Sequence, residues 1–342
     1  VRSELPTRVR VGTAVDVELL VTARRRVTTI VLNEELHAAM GGDVHVPIAS
    51  LRADEELAHR YRLRPTNRGV YHVGPLRARW SDPFGLTTHT QVVTEREQVI
   101  VHPSTELVHD RVSTRMWEDP PIRPPVSKPW PTGFEFYGMR DYVPGDDLRR
   151  VVWNVVAKTG RMMVRESEQG ITDRVVVLLQ TRRGWHSPGQ PSATFETAVR
   201  VAASLGVKHL NDGFSVSLLT DQGRLQSSLR GDRARIAYLD TLAALDMSEG
   251  DGPDAAREAL LTESRGGAHF VVVTPHLDEQ AAGQLRLVMQ RGASVVVAKI
   301  VWEESDPVSM SRAAALGCQV VQVTPGHPLT GVFAPPSAVA RL

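Results

Sequence analysis

The sequence predicts an α+β multidomain protein, with an N-terminal antiparallel β-sandwich or barrel followed by a doubly wound α/β domain. Over residues 7–102, apolar residues alternate with period two in short runs broken by Gly, Pro and Asn, the pattern of half-buried antiparallel strands. From residue 175 onward, near-continuous Val/Leu runs alternate with amphipathic stretches, the pattern of a mostly parallel sheet covered on both faces. Between the two, Pro120, Pro121, Pro124, Pro125, Pro129 and Pro131 crowd a stretch without periodicity, as in an extended linker. The resulting plan is a β-rich domain at 1–103, a Pro-rich linker at 104–132, a compact turn–helix–turn segment at 133–170, an α/β domain at 171–330 and a tail at 331–342.

In the β-rich part, Val9, Val11, Val15, Val17, Leu19 and Val21 open the alternation, and runs at 27–32, 44–48, 58–63, 70–73, 76–80 and 91–101 continue it. Asn67, Gly69 and Gly74 supply turn conformations that β-branched residues resist. Residues 81–86 break the ladder as a structural corner, with Asp82 making a local turn bond and Phe84 plugging one end of the sandwich. In the linker, Trp117 and Trp130 are expected to be pinned on a domain surface.

Segment 133–170 is the densest mixture of aromatic, acidic and basic residues in the chain. Pro144-Gly145 reads as a turn, after which Asp146 or Asp147 caps a helix. Leu148, Val151, Val152, Val155 and Val156 give that helix an apolar face, and Arg149, Arg150 and Asn154 the opposite one. Gly160 suits the helix exit, where a positive φ is needed, and 161–165 reads as a short strand.

In the α/β part, strands are expected at 175–179, 214–220, 269–273, 294–300 and 319–323, and helices at 195–210, 233–245, 255–262, 277–290 and 308–316. Gln222-Gly223-Arg224 turns the second strand into a hairpin partner. The stretch after Thr324 is rich in Pro and Gly and is expected to be loose.

Composition excludes several classes. A net charge of +1 provides no field for nucleic acid. The single cysteine, Cys318, rules out an intrachain disulfide or multi-cysteine zinc site, and its neighbours Val320, Val321 and Val323 mark it as a core residue. No run approaches the roughly 18 apolar residues of a membrane span, and no signal peptide is recognisable. The chain begins Val1-Arg2, so a further upstream segment is expected.

Familiar chemistry is also missing. The first α/β strand is followed by Gln180-Thr181-Arg182-Arg183-Gly184, neither GxxxxGK[ST] nor GxGxxG. There is no GxSxG elbow, and the twelve histidines form no HExxH pair. His186 and His276 read as solvated loop residues. Asp141, Asp146, Asp147, Glu166 and Glu168 are interleaved with Arg140, Arg149, Arg150, Lys158 and Arg165, which hold carboxylates ionised. That mixture suits a salt-bridge lattice or docking face better than an acid–base pair, so no catalytic, cofactor or metal residue is assigned. The alternative is a hydrolase of cell-envelope or peptide substrates working through Asp146, Asp147 or Glu166.

The run Gly133, Phe134, Arg140, Tyr142, Pro144, Gly145, Asp146, Asp147, Arg149, Arg150 and Trp153, then Ala157, Thr159, Gly160 and Val164, resembles the hallmark of the bacterial domain-of-unknown-function family 58. Arg68-Gly69-Val70-Tyr71, Gly74-Pro75-Leu76 and the residues from Asp82 to Leu86 are similar to a second pattern of that family. The resemblance implies a β-rich domain followed by a von Willebrand factor A-like α/β domain. It also implies a tether at the cytoplasmic membrane face, supplied by upstream helices. The implied role is that of a non-enzymatic adaptor for a MoxR-type AAA+ ATPase, and for other von Willebrand factor A proteins, in a chaperone-like or complex-assembly system.

The metal site of von Willebrand factor A domains begins Asp-x-Ser-x-Ser, whereas the matching positions here are Gln180, Arg182 and Gly184. Arg182 and Arg183 put positive charge where a divalent cation needs anionic oxygens. A degenerate metal site is therefore expected, with Arg182 pairing an internal or partner carboxylate. Arg140, Tyr142, Gly145, Asp146, Asp147, Arg149, Arg150 and Trp153 either dock a partner or clasp the domains together. In the clasp reading Trp153 lies in a core, Asp146 and Asp147 cap the helix, and Arg149 bridges to Glu166.

Overall fold

The computed structural model describes residues 2–82, 84, 86–108, 135–142, 151–168, 174–250, 253–264, 268–302 and 307–333. The class is mixed α/β with two large sheets.

The first part contains β1 (Arg8–Arg10), β2 (Val15–Thr22), β3 (Val27–Leu36), β4 (Val44–Leu51), β5 (Glu56–Leu63), β6 (Gly69–Ser81), β7 (Thr88–Thr94) and β8 (Glu97–His102). β1, β8, β6, β3 and β4 lie side by side, and β7 pairs with the second half of β6. β2 and β5 form a separate antiparallel ribbon, from Val15 opposite Leu63 to Thr22 opposite Glu56. Period-two alternation decides what the ribbon buries. Val17 and Leu63 pack with Val73, Val99 and Val101 of the sheet, and Leu19 packs with Ile30, Leu32 and Leu76. A two-stranded ribbon thus lies across one face of a six-stranded sheet, short of the two full sheets of the expected sandwich.

The corner at 81–86 follows the expectation in one respect and departs from it in another. Asp82 accepts hydrogen bonds from the N–H groups of Phe84 (2.8 Å), Leu86 (3.1 Å) and Thr87 (2.6 Å). Phe84, however, plugs nothing: it is 86% exposed on the connection between β6 and β7.

In the second part, β11 (Arg174–Leu179), β12 (Ser215–Thr220), β13 (Gly223–Leu229), β14 (His269–Thr274), β15 (Ser294–Ile300) and β16 (Gln319–Val323) assemble in the order β13-β12-β11-β14-β15-β16. All neighbours are parallel except the β12–β13 hairpin. Helices α2 (Ala193–Asn211) and α3 (Asp232–Ala244) cover one face, packing on Val175, Val177 and Leu179. Helices α4 (Pro253–Glu263), α5 (Glu279–Gln290) and α6 (Pro307–Ala315) cover the other, over Val176 and Leu178. Burial on both faces explains why these strands read as unbroken apolar runs. Cys318 is buried in the second of these cores.

Two boundaries move. The first residues of the expected linker belong to the α/β core: Val108 is buried there, and Glu106 pairs with Arg200 at 2.9 Å and accepts the N–H of Leu329 at 2.6 Å. The described part of the expected loose tail is anchored as well, since Leu329 and Phe333 are buried in the same core. Trp117 and Trp130 lie outside the described residues.

Candidate functional site

The signature segment folds back on itself. β9 (Glu135–Asp141) pairs antiparallel with β10 (Met163–Glu168), with Asp141 opposite Met163 and Arg140 opposite Val164. Tyr142 continues the pairing through its N–H to the Met162 carbonyl at 2.9 Å. Between the two strands, α1 runs from Trp153 to Thr159 and ends at Gly160, whose φ of 69° is the left-handed cap expected of it. The helix starts later than the apolar spacing suggested. Val151 is claimed by a bridge to Val164, and Val152 donates to the Met163 carbonyl and serves as the N-cap, at φ −86° and ψ 83°, so neither is inside the helix.

The core position assigned to Trp153 in the clasp reading is not observed. It is 60% exposed on a helix with no buried residue, and Met139 and Met162 are exposed on the same excursion. Asp141 pairs with Arg161 at 2.8 Å across the open surface. Gly145, Asp146, Asp147, Arg149 and Arg150 lie outside the described residues, as do the side chains of Arg140 and Glu166.

A second constellation gathers where the parallel strands end. Gln180 follows β11, Asp221 follows β12, and Asp278 caps α5 by accepting the Ala281 N–H at 2.7 Å. With Arg182, Trp185 and Leu260 they line a shallow concavity at the carboxyl ends of the central strands, where open α/β sheets bind ligands. The Gln180 side chain is buried and its Oε1 has no hydrogen-bond partner among the described residues. Arg182 places its guanidinium over the Trp185 ring, 5.2 Å from the centroid. The Asp221 carboxylate accepts the Thr181 N–H at 3.0 Å and the Ser248 hydroxyl at 3.3 Å. Nearby His186 is not the solvated residue expected. It is buried, bonded to the Gln180 carbonyl at 3.0 Å and 3.2 Å from the Thr194 hydroxyl, and burial lowers its pKa. Among the described residues, no group of three or more His, Cys, Asp or Glu side chains is placed to hold a metal ion.

The model of the family described as protein of unknown function DUF58 matches residues 138–307. Over that span the chain is similar to the DUF58 family. The DUF58 region therefore runs from within β9 to the first residue of α6 and contains both constellations. No curated protein matches the chain. Among solved structures, the conserved hypothetical protein BatB from Bacteroides thetaiotaomicron is similar at 15% identity, covering 45% of this chain and 91% of its own, with a TM-score of 0.33. A von Willebrand factor type A structure from Catenulispora acidiphila is similar at 16% identity, covering 46% of this chain and 39% of its own, with a TM-score of 0.32.

Outside the DUF58 span, the β-rich part contributes a contact that sequence reasoning treated as a mere turn. The Arg68 guanidinium reaches Glu196 of α2 at 3.0 and 3.1 Å and the carbonyls of Leu242 and Leu245 at 2.6 Å each. It also lies over the Phe195 ring, 5.1 Å from the centroid. A cation at the carboxyl end of α3 satisfies carbonyls that have no helical partner. Asp240 of α3 adds a second tie, to Arg8 at 2.9 Å and His102 at 2.6 Å. Burial works against its ionisation, but these two hydrogen bonds outweigh it and lower the Asp240 pKa. Among the described residues, Arg68, Glu196 and Asp240 tie the two parts together.

Proposed function

We propose that the protein is a non-enzymatic interaction module whose signature excursion, β9–α1–β10, docks a partner. The observation that carries this reading is Trp153, exposed on α1, with Met139 and Met162 exposed on the same excursion. Large aromatic and Met side chains are what protein-binding surfaces are enriched in. Arg68 ties the two parts together, and the described helix α1 buries none of its own side chains. Charged clusters elsewhere support the same reading: Glu196 is held by Arg68, and buried Glu263 by Arg174 and Arg224, so these acids serve structure.

By family resemblance the partner is a MoxR-type AAA+ ATPase, with von Willebrand factor A proteins as further associates and an upstream segment as membrane tether. The strand order and the helices on both faces support a von Willebrand factor A-like reading of the second part. The ribbon over one face supports a lopsided β-sandwich in the first. The concavity does not fit the metal of that fold. Gln180 offers a neutral amide, Arg182 brings positive charge, and the Asp221 carboxylate is already engaged, whereas a divalent cation needs anionic oxygens.

The test is capture of a purified MoxR-type ATPase by the protein and by Trp153→Ser, a variant of matched melting temperature. Loss of capture with the variant supports docking by α1, and equal capture by both proteins refutes it. Calorimetry with Mg²⁺ and Mn²⁺ tests the concavity, where saturable binding abolished by changing Gln180 would contradict the degenerate-site reading.

A further inference from the structure

Phe84 and Leu86 are the most exposed large apolar side chains among the described residues, at 86% and 83%. Their exposure is built in. Asp82 gathers the N–H groups of Phe84, Leu86 and Thr87 and the Thr87 hydroxyl, and donates its own N–H to the Thr87 carbonyl at 3.1 Å. The backbone is held so that both side chains face water, which costs free energy unless something covers them. Two rungs behind the loop, Trp80 stacks on His89 with ring centroids 5.7 Å apart.

The strand register places a cationic turn beside this loop. Ile30 of β3 is opposite Trp80 of β6, so the start of β3 and the end of β6 lie at the same end of the sheet. The three residues before β3 are Arg24, Arg25 and Arg26, all exposed. The β4–β5 connection, one strand further from the loop, carries Arg52 together with the exposed acids Asp54, Glu55 and Glu56. Ala23 pairs with Ala53 and its carbonyl accepts the Asp54 N–H at 2.8 Å, so those acids lie beside the arginines and temper the basic charge.

We infer that this end of the β-rich part binds the surface of an anionic lipid bilayer, with Phe84 and Leu86 entering the headgroup–acyl boundary and Arg24, Arg25 and Arg26 pairing with lipid phosphates. Two side chains on one loop are too little for a stable protein interface, which buries about 800 Å² per partner. They suit a fluid apolar phase, which needs no complementary shape. Adjoining cations gain from the negative surface potential, and an aromatic residue two rungs behind the loop suits the interfacial zone. The inference goes beyond the adaptor reading and does not depend on it, because it concerns a different face and part of the chain.

The experiment is co-sedimentation of the full chain with phosphatidylcholine vesicles, with and without about one third phosphatidylglycerol. Binding to the anionic vesicles is expected, weakening about tenfold or more in Phe84→Ser/Leu86→Ser and in Arg24→Ser/Arg25→Ser/Arg26→Ser. It should also weaken with added salt. All five side chains are exposed, so melting temperatures should match that of the parent; Asp54→Asn/Glu56→Gln should bind more tightly. The inference is overturned if the parent stays in the supernatant with anionic vesicles, or if the Phe84/Leu86 variant sediments as the parent does. It is equally overturned if the parent forms a dimer that this variant abolishes while neither binds vesicles, since the loop then serves a second copy.

Discussion

Arg68 and Glu196 form a two-point ion pair across the junction between the β-rich part and the α/β part, at 3.0 and 3.1 Å. The Arg68 side chain is 5% exposed and also caps the carbonyls at the end of α3, so one residue ties two elements of one part to a turn of the other. Arg68→Ala should cost about 2–3 kcal/mol, the range for hydrogen bonds to a charged group plus the carbonyls left bare. Arg68→Lys should recover little, because an ammonium cannot reproduce the planar fork. Chemical denaturation measures the loss, and splitting of one unfolding transition into two would show that the junction had loosened. An Arg68→Ala protein as stable as the parent would remove the clasp.

How far this was legible in the sequence depends on whether a role is local. Period-two alternation and unbroken Val runs are local, so the strands of both parts were readable, β16 to the residue. So was Gly160, because a positive φ at a helix exit is a property of one residue and its neighbours. Arg68 was visible only as part of a turn motif, since the carbonyls it caps lie more than 170 residues away. The clasp reading put Trp153 in a core because an indole in an apolar context reads as core, and nothing local says that α1 would bury no side chain. Phe84 failed for the same reason: the turn chemistry of Asp82 was readable, but the exposure of the side chain was not.

The loop at Asp82 should respond to acid. Hydrogen bonds from the Thr87 hydroxyl first, and from the N–H groups of Leu86, Thr87 and Phe84, lower its pKa from 3.8 to about 2. A carboxylate whose folded pKa is depressed contributes stability that is fully present above the unfolded value and is lost as pH falls through the folded one. Amide protection at Phe84, Leu86 and Thr87 should therefore hold above pH ~4 and fade toward pH ~2. Hydrogen exchange across that window measures it. Asp82→Asn should flatten the dependence, and an unchanged profile in that variant would mean that another group closes the loop.

Buried Glu34 accepts hydrogen bonds from both Arg2 and Tyr61, and Arg2 reaches on to Glu97. Glu34→Gln should cost about 3 kcal/mol, because it leaves a buried guanidinium short of its main counter-charge. Tyr61→Phe, which keeps that pair, should cost about 1 kcal/mol. Equilibrium unfolding of the two variants gives the order, and a larger loss for Tyr61→Phe would mean that ring packing outweighs the ion pair at this site.

Gly206 lies inside α2, where alanine is ordinarily favoured by about 1 kcal/mol. Here the sign should reverse. A Cβ at this position would fall inside the contact distance of Cε1, Cζ and the hydroxyl of Tyr238. Tyr238 is fully buried on α3 and donates to the Ala202 carbonyl at 2.9 Å, so the ring has no room to retreat and its hydroxyl is anchored. Gly206→Ala should destabilise by about 1–3 kcal/mol, the cost of overpacking a filled core. Tyr238→Ala alone should also destabilise, by emptying the space the ring fills. In the double variant the new methyl occupies part of that space, so its cost should fall well short of the sum of the two single costs. Additive costs in that cycle would mean that the helices do not meet at Gly206.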